Sequence, residues 1–193
     1  MILSESIEEA IDVMKRGGVV AYPTDTVFGL GVNATREDAV KLLYRVKDRS
    51  GSRPVPVIVS SIRQAKWLAS INSKQEKILD SIWPGAVTAV LEKRGGGTIG
   101  LRIPDSEVAR DLARDFPITG TSANLSGEEP AKTAEEVMVA FGSHHPKPDL
   151  VLNLPSVGSS KPSTVIDIID PSRPRIVRVG MTSKEQLLDL LKL

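Results

Sequence analysis

A chain of 193 residues with 40% apolar and 25% charged side chains has ordinary globular composition and ample length to bury a core. Its 25 basic and 24 acidic side chains leave a net charge of +1, which excludes a uniform basic coat for nucleic acid but not a local patch. It has no cysteine, so disulfide scaffolds, thiolate metal sites and a cysteine nucleophile are excluded together.

The chain opens Met1-Ile2-Leu3-Ser4-Glu5 without a basic leader. No later segment approaches the roughly 20 apolar residues of a membrane span, so a cytoplasmic protein with no membrane partner is expected. Ser6 and Glu9 have capping-box spacing ahead of a stripe of Ile7, Ala10, Ile11 and Met14, and Gly17 ends that helix. Val19 to Tyr22 reads as a buried strand stopped by Pro23. Thr35 is the expected cap of a second helix whose Ala39, Leu42, Leu43 and Val46 share a face, and Val55 to Val59 is the next strand. Ser73 with Glu76, Thr133 with Glu136 and Ser183 with Gln186 repeat the capping spacing at three more helix starts. Between them lie β-branched runs at 86–91, 98–103, 117–121, 150–152, 164–169 and 175–179.

Helices alternating with strands predict an α/β layer fold. Several strands are too close for crossover helices, so the sheet should be mixed. Residues 1–193 are expected to form one domain, a twisted mixed sheet with flanking helices. The stretch 142–149 is its one long loop.

The only histidines are adjacent, His144 and His145, in a loop with Pro146 and Pro148. No histidine metal cage or catalytic triad is expected, and no side-chain metal site. No P-loop, nucleophile elbow or H-E-x-x-H is present, and Gly29-Leu30-Gly31 lacks the third glycine of a dinucleotide fingerprint. Cations do cluster: Lys41, Arg45, Lys47, Arg49 and Arg53 stand against Asp48 alone. Lys41 and Arg45 read as a solvated helix face. Lys47, Arg49 and Arg53 lie beyond the helix in a Ser/Gly/Pro loop, which can aim several cations at one polyanion or can be an ordinary basic loop. Polar residues also gather at strand ends, in Thr24-Asp25-Thr26, Thr121-Ser122-Ala123-Asn124 and Ser163-Thr164, where ligands of open α/β sheets collect and where turn chemistry alone also places them. Arg102 and Arg178, each inside an apolar strand, must find an anion, whether a ligand or a structural partner.

The segment Tyr22-Pro23-Thr24-Asp25-Thr26-Val27-Phe28-Gly29-Leu30-Gly31 resembles the opening signature of the YrdC/Sua5 family of threonylcarbamoyl-AMP synthases. Lys47-Asp48-Arg49 with Arg53-Pro54 is similar to the family's basic motif. Trp83-Pro84-Gly85, Leu101-Arg102-Ile103-Pro104-Asp105, Ser122-Ala123-Asn124-Leu125-Ser126-Gly127 and Ser163-Thr164-Val165-Ile166-Asp167 follow in the family's order, from about residue 5 to residue 180. The chain departs from the family in carrying Arg53 where many members have Lys or Asn. It also reads Arg49-Ser50-Gly51-Ser52 where a proline commonly follows the arginine.

The resemblance implies a fold with a deep, positively lined concavity, in the short single-domain form. It implies the joining of L-threonine, bicarbonate and ATP into threonylcarbamoyl-adenylate with release of pyrophosphate. A downstream threonylcarbamoyl transferase would then load adenosine 37 of tRNA. By the same resemblance, Lys47, Arg49 and Arg53 hold the triphosphate with Mg²⁺, and Lys47 and Arg49 carry the catalytic burden. Thr26, Arg102 and Ser122 grip threonine, with Arg102 on its carboxylate. Thr98, Asn124 and Arg178 line the nucleotide side, and Ser163 and Thr164 sit near the carbamate. Asp25 and Asp167 touch the metal or, on the reading the residues favour, cap strand ends. Two other functions compete: a non-catalytic module that binds tRNA or double-stranded RNA, and carbamoyl transfer to another acceptor, which in hydrogenase-maturation enzymes accompanies zinc-finger cysteines this chain lacks.

Overall fold

A computed structural model describes residues 1–49, 54–155 and 161–191. In chain order the elements are β1 (Ile2–Ser4), α1 (Ile7–Lys15), β2 (Val20–Tyr22), β3 (Gly29–Gly31), α2 (Glu37–Val46), β4 (Val57–Ile58), α3 (Ile62–Leu68) and α4 (Ser73–Ile82). There follow β5 (Val87–Glu92), β6 (Thr98–Arg102), α5 (Glu107–Leu112), β7 (Ile118–Thr119), β8 (Thr121–Ser122), α6 (Ala134–Phe141), β9 (Leu150–Leu152), β10 (Thr164–Asp167), β11 (Arg175–Arg178) and α7 (Lys184–Leu191).

The helix starts follow local hydrogen-bond supply. Ser6, Thr133 and Ser183 each accept the backbone N–H three residues on, as expected. Two expected caps are displaced. Asn72, one residue before Ser73, accepts from the backbone N–H groups of Lys74 and Gln75, and Gln75 answers to the Asn72 N–H. Glu76 is instead drawn to Lys66. Thr35 donates to Asn33 rather than capping α2, whose N-cap is Arg36 without a side-chain bond.

The expected single mixed sheet is two. A five-stranded sheet runs β1-β9-β2-β3-β8 and a six-stranded sheet runs β11-β10-β5-β6-β4-β7. Both are mixed: β1/β9, β9/β2, β10/β5 and β6/β4 are parallel, and the remaining pairs antiparallel. The strand expected at 117–121 crosses between them. Ile118–Thr119 joins the six-stranded sheet, Thr121–Ser122 the five-stranded one, and Gly120 makes the step with its N–H on the Pro56 carbonyl. A Cβ at Gly120 would lie 2.7 Å from Ile58 Cγ1, so no larger residue fits that close crossing. An antiparallel bridge between Asn33 and Ile118 stitches the sheets at the same place.

Alternation in the six-stranded sheet decides what faces what. Val87, Ala89, Leu91, Leu101, Ile103, Ile166 and Ile168 point to one face and pack with Leu79, Ile82 and Leu187 of α4 and α7. Burying each such side chain contributes about 1.5–3 kcal/mol. The opposite face, with Thr88, Val90, Thr98, Gly100, Arg102 and Val165, is free to form a cavity wall.

Candidate active site

That wall closes against the ends of β2, β3 and β8 to enclose a cavity of about 400 Å³. Tyr22, Thr24, Thr26, Gly29 and Ser122 come from the five-stranded side, and Arg49 and Pro54 to Pro56 from the segment after α2. The floor is kept open by Gly100, whose Cβ would stand 3.3 Å from Thr88 Cγ2. Gly29 lets the Tyr22 ring pack directly on the backbone, since a Cβ there would lie 3.0 Å from it. Tyr22 donates to the Thr119 carbonyl, and burial pushes its hydroxyl pKa upward against the pull of Arg102, so it stays a neutral donor.

Charge in this cavity is one-sided. Its lining includes Arg49, Arg102 and Arg178 and, among the described residues, no carboxylate. Arg102 is the exception in being paired. Its Nη2 lies 2.5 Å from Asp25 Oδ1, with side chains only 6% and 10% exposed. Its Nη1 donates to Thr26 Oγ1 and its Nε to the Gly85 carbonyl. Asp25 also accepts the Asp105 N–H, tying the loop after β2 to the loop after β6. Even so, burial outweighs the carboxylate and lowers the Arg102 pKa. Arg49 and Arg178 have no acidic partner among the described residues. Arg178 Nη2 donates to the Ser163 carbonyl, and Arg49 Nη2 makes a 3.4 Å bond to the Pro54 carbonyl. Arg49 Nε is buried with no hydrogen-bond partner among the described residues. Burial, then Arg49, lowers the Arg178 pKa, and the same two causes push Lys47 down to about 8. Arg49 thus repels Arg178 in the cavity and Lys47 behind it, and the site's free energy falls when a polyanion enters.

The expected residues divide cleanly. Thr26, Arg49, Thr98, Arg102, Ser122, Ser163 and Arg178 all line the cavity. Lys47, Asn124 and Thr164 do not. Lys47 is 3% exposed and gives its ammonium to the Ser122 carbonyl, the Asn124 carbonyl and Asn124 Oδ1. It thereby braces the loop that carries Ser122 and adds its charge from behind. The Asn124 side chain is fully engaged by Lys47, Ser122 and the carbonyls of Leu125 and Glu128, so it faces the loop rather than a ligand. Thr164 is completely buried, donating to the Thr182 carbonyl and accepting the Gly180 N–H. It is a clasp on the segment after β11. Arg53 lies outside the described residues.

Asp167 accepts the Ile169 N–H and pairs with Arg175, and these contacts lower its pKa. It caps a strand end, as the residues suggested, while Asp25 serves Arg102. Sequence reasoning missed Thr88, which bonds Ser163 across β5 and β10, and read Thr24 only as a polar strand end, whereas it accepts the Thr26 N–H and donates to the Val27 carbonyl. The alternation of 87–91 carried the signal for Thr88.

A two-sheet α/β fold thus encloses an arginine-lined cavity without a carboxylate among the described residues, a setting suited to an anionic ligand. The profile of the Sua5/YciO/YrdC family, described as telomere recombination, matches residues 12–180, and the chain belongs to that family. A threonylcarbamoyl-AMP synthase of Bacillus subtilis is 34% identical over 194 residues, covering 94% of this chain and 55% of the relative. One from Mus musculus is 31% identical over 194 residues, covering 92% and 68%. The crystal structure of P. abyssi Sua5 complexed with L-threonine superposes with a TM-score of 0.87 at 30% identity, over 98% of this chain. This chain spans 60% of that longer chain.

Proposed function

We propose that this chain is a threonylcarbamoyl-AMP synthase, a nucleotidyltransferase that joins L-threonine, bicarbonate and ATP, and that residues 1–193 act as one YrdC-like domain. The observation that carries the reading is the arginine-lined cavity in which, among the described residues, Arg49 and Arg178 have no acidic partner and Arg102 is held ready by Asp25. The threonine bound to P. abyssi Sua5 supports the amino-acid half of the reading.

The chemistry asks little of a general base. The threonine amine and bicarbonate condense to a carbamate with loss of water. A carbamate oxygen then attacks the α-phosphorus of ATP, the bond to the β-phosphate oxygen breaks, and pyrophosphate leaves. What the protein must supply is alignment and neutralisation of charge. Arg102, with two N–H groups left after Asp25, Thr26 and Gly85, takes the threonine carboxylate. Thr26 and Ser122 orient the amino acid, with Ser163 on the carbamate. Arg49 and Arg178 flank the phosphates, joined by Arg53, with Thr98 on the nucleotide side. Lys47 acts through the loop it braces and through its field.

The described residues contain no cluster of three metal-ligating side chains, and Asp25 and Asp167 are both occupied. Mg²⁺ would enter with the triphosphate of ATP and offset part of its charge. The product passes to a threonylcarbamoyl transferase acting on tRNA adenosine 37, in the cytoplasm. No helix of the described residues is long and apolar enough to cross a membrane. Incubation with labelled bicarbonate, L-threonine and MgATP, followed by mass spectrometry, should yield threonylcarbamoyl-AMP. ATP turnover without that product overturns the reading.

A further inference from the structure

The wall of the cavity holds a pair of hydroxyls, of which the reaction as described uses one. Thr88 lines the cavity from β5 and is 2% exposed, and Ser163 lines it from the residue before β10 and is 9% exposed. The parallel pairing sets Thr88 beside Val165. Ser163 therefore stands two residues back on the same face, while Thr164 between them turns away to the Thr182 carbonyl. Thr88 Oγ1 and Ser163 Oγ are 2.9 Å apart, and either oxygen can be the donor. Among the described residues neither hydroxyl has another hydrogen-bond partner.

Both residues are held in place from outside the pair. Threonine is branched at Cβ and stiff at χ1. The Thr88 methyl lies over Gly100 of β6, where an added Cβ would come within 3.3 Å of it. Because β5 runs between β6 and β10, this leaves the hydroxyl on the Ser163 side. Ser163 is anchored through its main chain, since its carbonyl accepts from Arg178 Nη2 and the Pro162 carbonyl accepts the Met181 N–H.

One bond between two hydroxyls uses one of their two hydrogens, and the hydrogen left over decides what the cavity accepts. With Ser163 donating to Thr88, Ser163 turns only lone pairs to the cavity and repels an anion. With Thr88 donating, Ser163 keeps its own hydrogen for the cavity, and the bond it gives to an anion is strengthened by the bond it receives. Arg49, Arg102 and Arg178 draw an anion into the same space, so the second order is the one a bound anion selects.

We propose that Thr88 is a positioning residue that donates to Ser163 and so commits the Ser163 hydroxyl to donate to the carbamate, an inference that rests on the reaction assigned to the cavity above. Thr88 touches no reacting atom. Holding one carbamate oxygen on Ser163 leaves the other for the α-phosphorus, which is alignment and not base catalysis.

Initial rates of threonylcarbamoyl-AMP formation by the full chain, with bicarbonate, threonine and ATP varied in turn, test this, and thermal melting verifies folding. Thr88→Val keeps the branched shape and removes the hydroxyl. It should lower kcat/KM for bicarbonate about tenfold and leave the KM for ATP within about twofold. Thr88→Ala should show the same split, so that the result does not hang on how valine packs. Thr88→Ser keeps the hydroxyl and should stay within about threefold of the parent. Ser163→Ala should lose at least as much as Thr88→Val, and combining the two should cost no more than Ser163→Ala alone, because Thr88 acts only through Ser163. The proposal is overturned if a parent that makes the adenylate is matched within about twofold by Thr88→Val, if the losses multiply, if they fall on the KM for ATP, or if Thr88→Ser is as poor as Thr88→Val. Loss of cooperative melting in both Thr88→Val and Thr88→Ala would show that the hydroxyl holds the fold, and overturns it equally. A parent that forms no adenylate refutes the reaction assigned to the cavity and takes this inference with it.

Discussion

Replacing Arg49 with alanine should remove adenylate formation while leaving the fold as stable as before, or more so. Arg49 makes one long bond, 3.4 Å to the Pro54 carbonyl, worth at most about 0.5–1 kcal/mol. Against that stand a buried Nε with no partner, which costs about 1–3 kcal/mol, and repulsion felt at both Lys47 and Arg178. The net change in stability should therefore lie between zero and a gain of about 2 kcal/mol. For turnover the sign reverses. A buried charged contact to the substrate is worth about 2–5 kcal/mol, or roughly thirtyfold to several-thousandfold in rate. Urea unfolding gives the first quantity and pyrophosphate release the second. A loss of stability above about 1 kcal/mol would show that Arg49 holds the fold together, and turnover within threefold of the parent would show that no phosphate meets it; either refutes the reasoning.

Asp25→Asn should do the opposite, because it leaves the Arg102 guanidinium buried without its counter-charge. A loss of about 3–5 kcal/mol is expected in urea unfolding, with a raised KM for threonine, and a loss below 1 kcal/mol contradicts the pairing argument. Lys47, with its pKa lowered to about 8, is mostly protonated in the folded chain at pH 7 and fully so in the unfolded chain. Between about 8 and the usual lysine value the unfolded chain binds the extra proton, so this group adds stability as pH rises through that window. Pyrophosphate favours the charged form, so loss of the Lys47 charge should lower its affinity as pH rises through about 8. Calorimetry at pH 8.5 in buffers of different ionisation enthalpy should show proton uptake, and its absence counts against Lys47 sensing the cavity. Asp48→Gly, at φ +48°, should raise the urea midpoint by the equivalent of about 0.5–1 kcal/mol by relieving a left-handed backbone; a lower midpoint would show that the aspartate side chain holds the turn.

Periodicity and capping spacing made most helices legible, because a stripe such as Ile7, Ala10, Ile11 and Met14 is a local property of the chain. The displaced cap at Asn72 shows the limit: two cap spacings overlap at adjacent residues, and a distant partner, Lys66, settled which glutamate or glutamine was used. The short elements β1, β3, α3 and α5 escaped, since strands of three residues and helices of six or seven are too short to show a period. The division into two sheets was invisible for the same reason. It rests on one step at Gly120, dictated by contact with Ile58 across 62 positions. At the site, the motif residues facing the cavity were legible by type, but Lys47, Asn124 and Thr164 have the same chemistry and point elsewhere. A strand's alternate faces separate Ser163 from Thr164; no residue type does. Asp25 was legible as a polar strand end, whereas its pairing with Arg102 needed the fold.

The central proposal is that a carbamate of threonine and bicarbonate, held in the cavity, is the nucleophile that attacks ATP. Pyrophosphate release measured in the complete mixture, and again with threonine or bicarbonate omitted in turn, tests it most directly. Release that requires both is the predicted result. Release that proceeds without threonine would contradict the account.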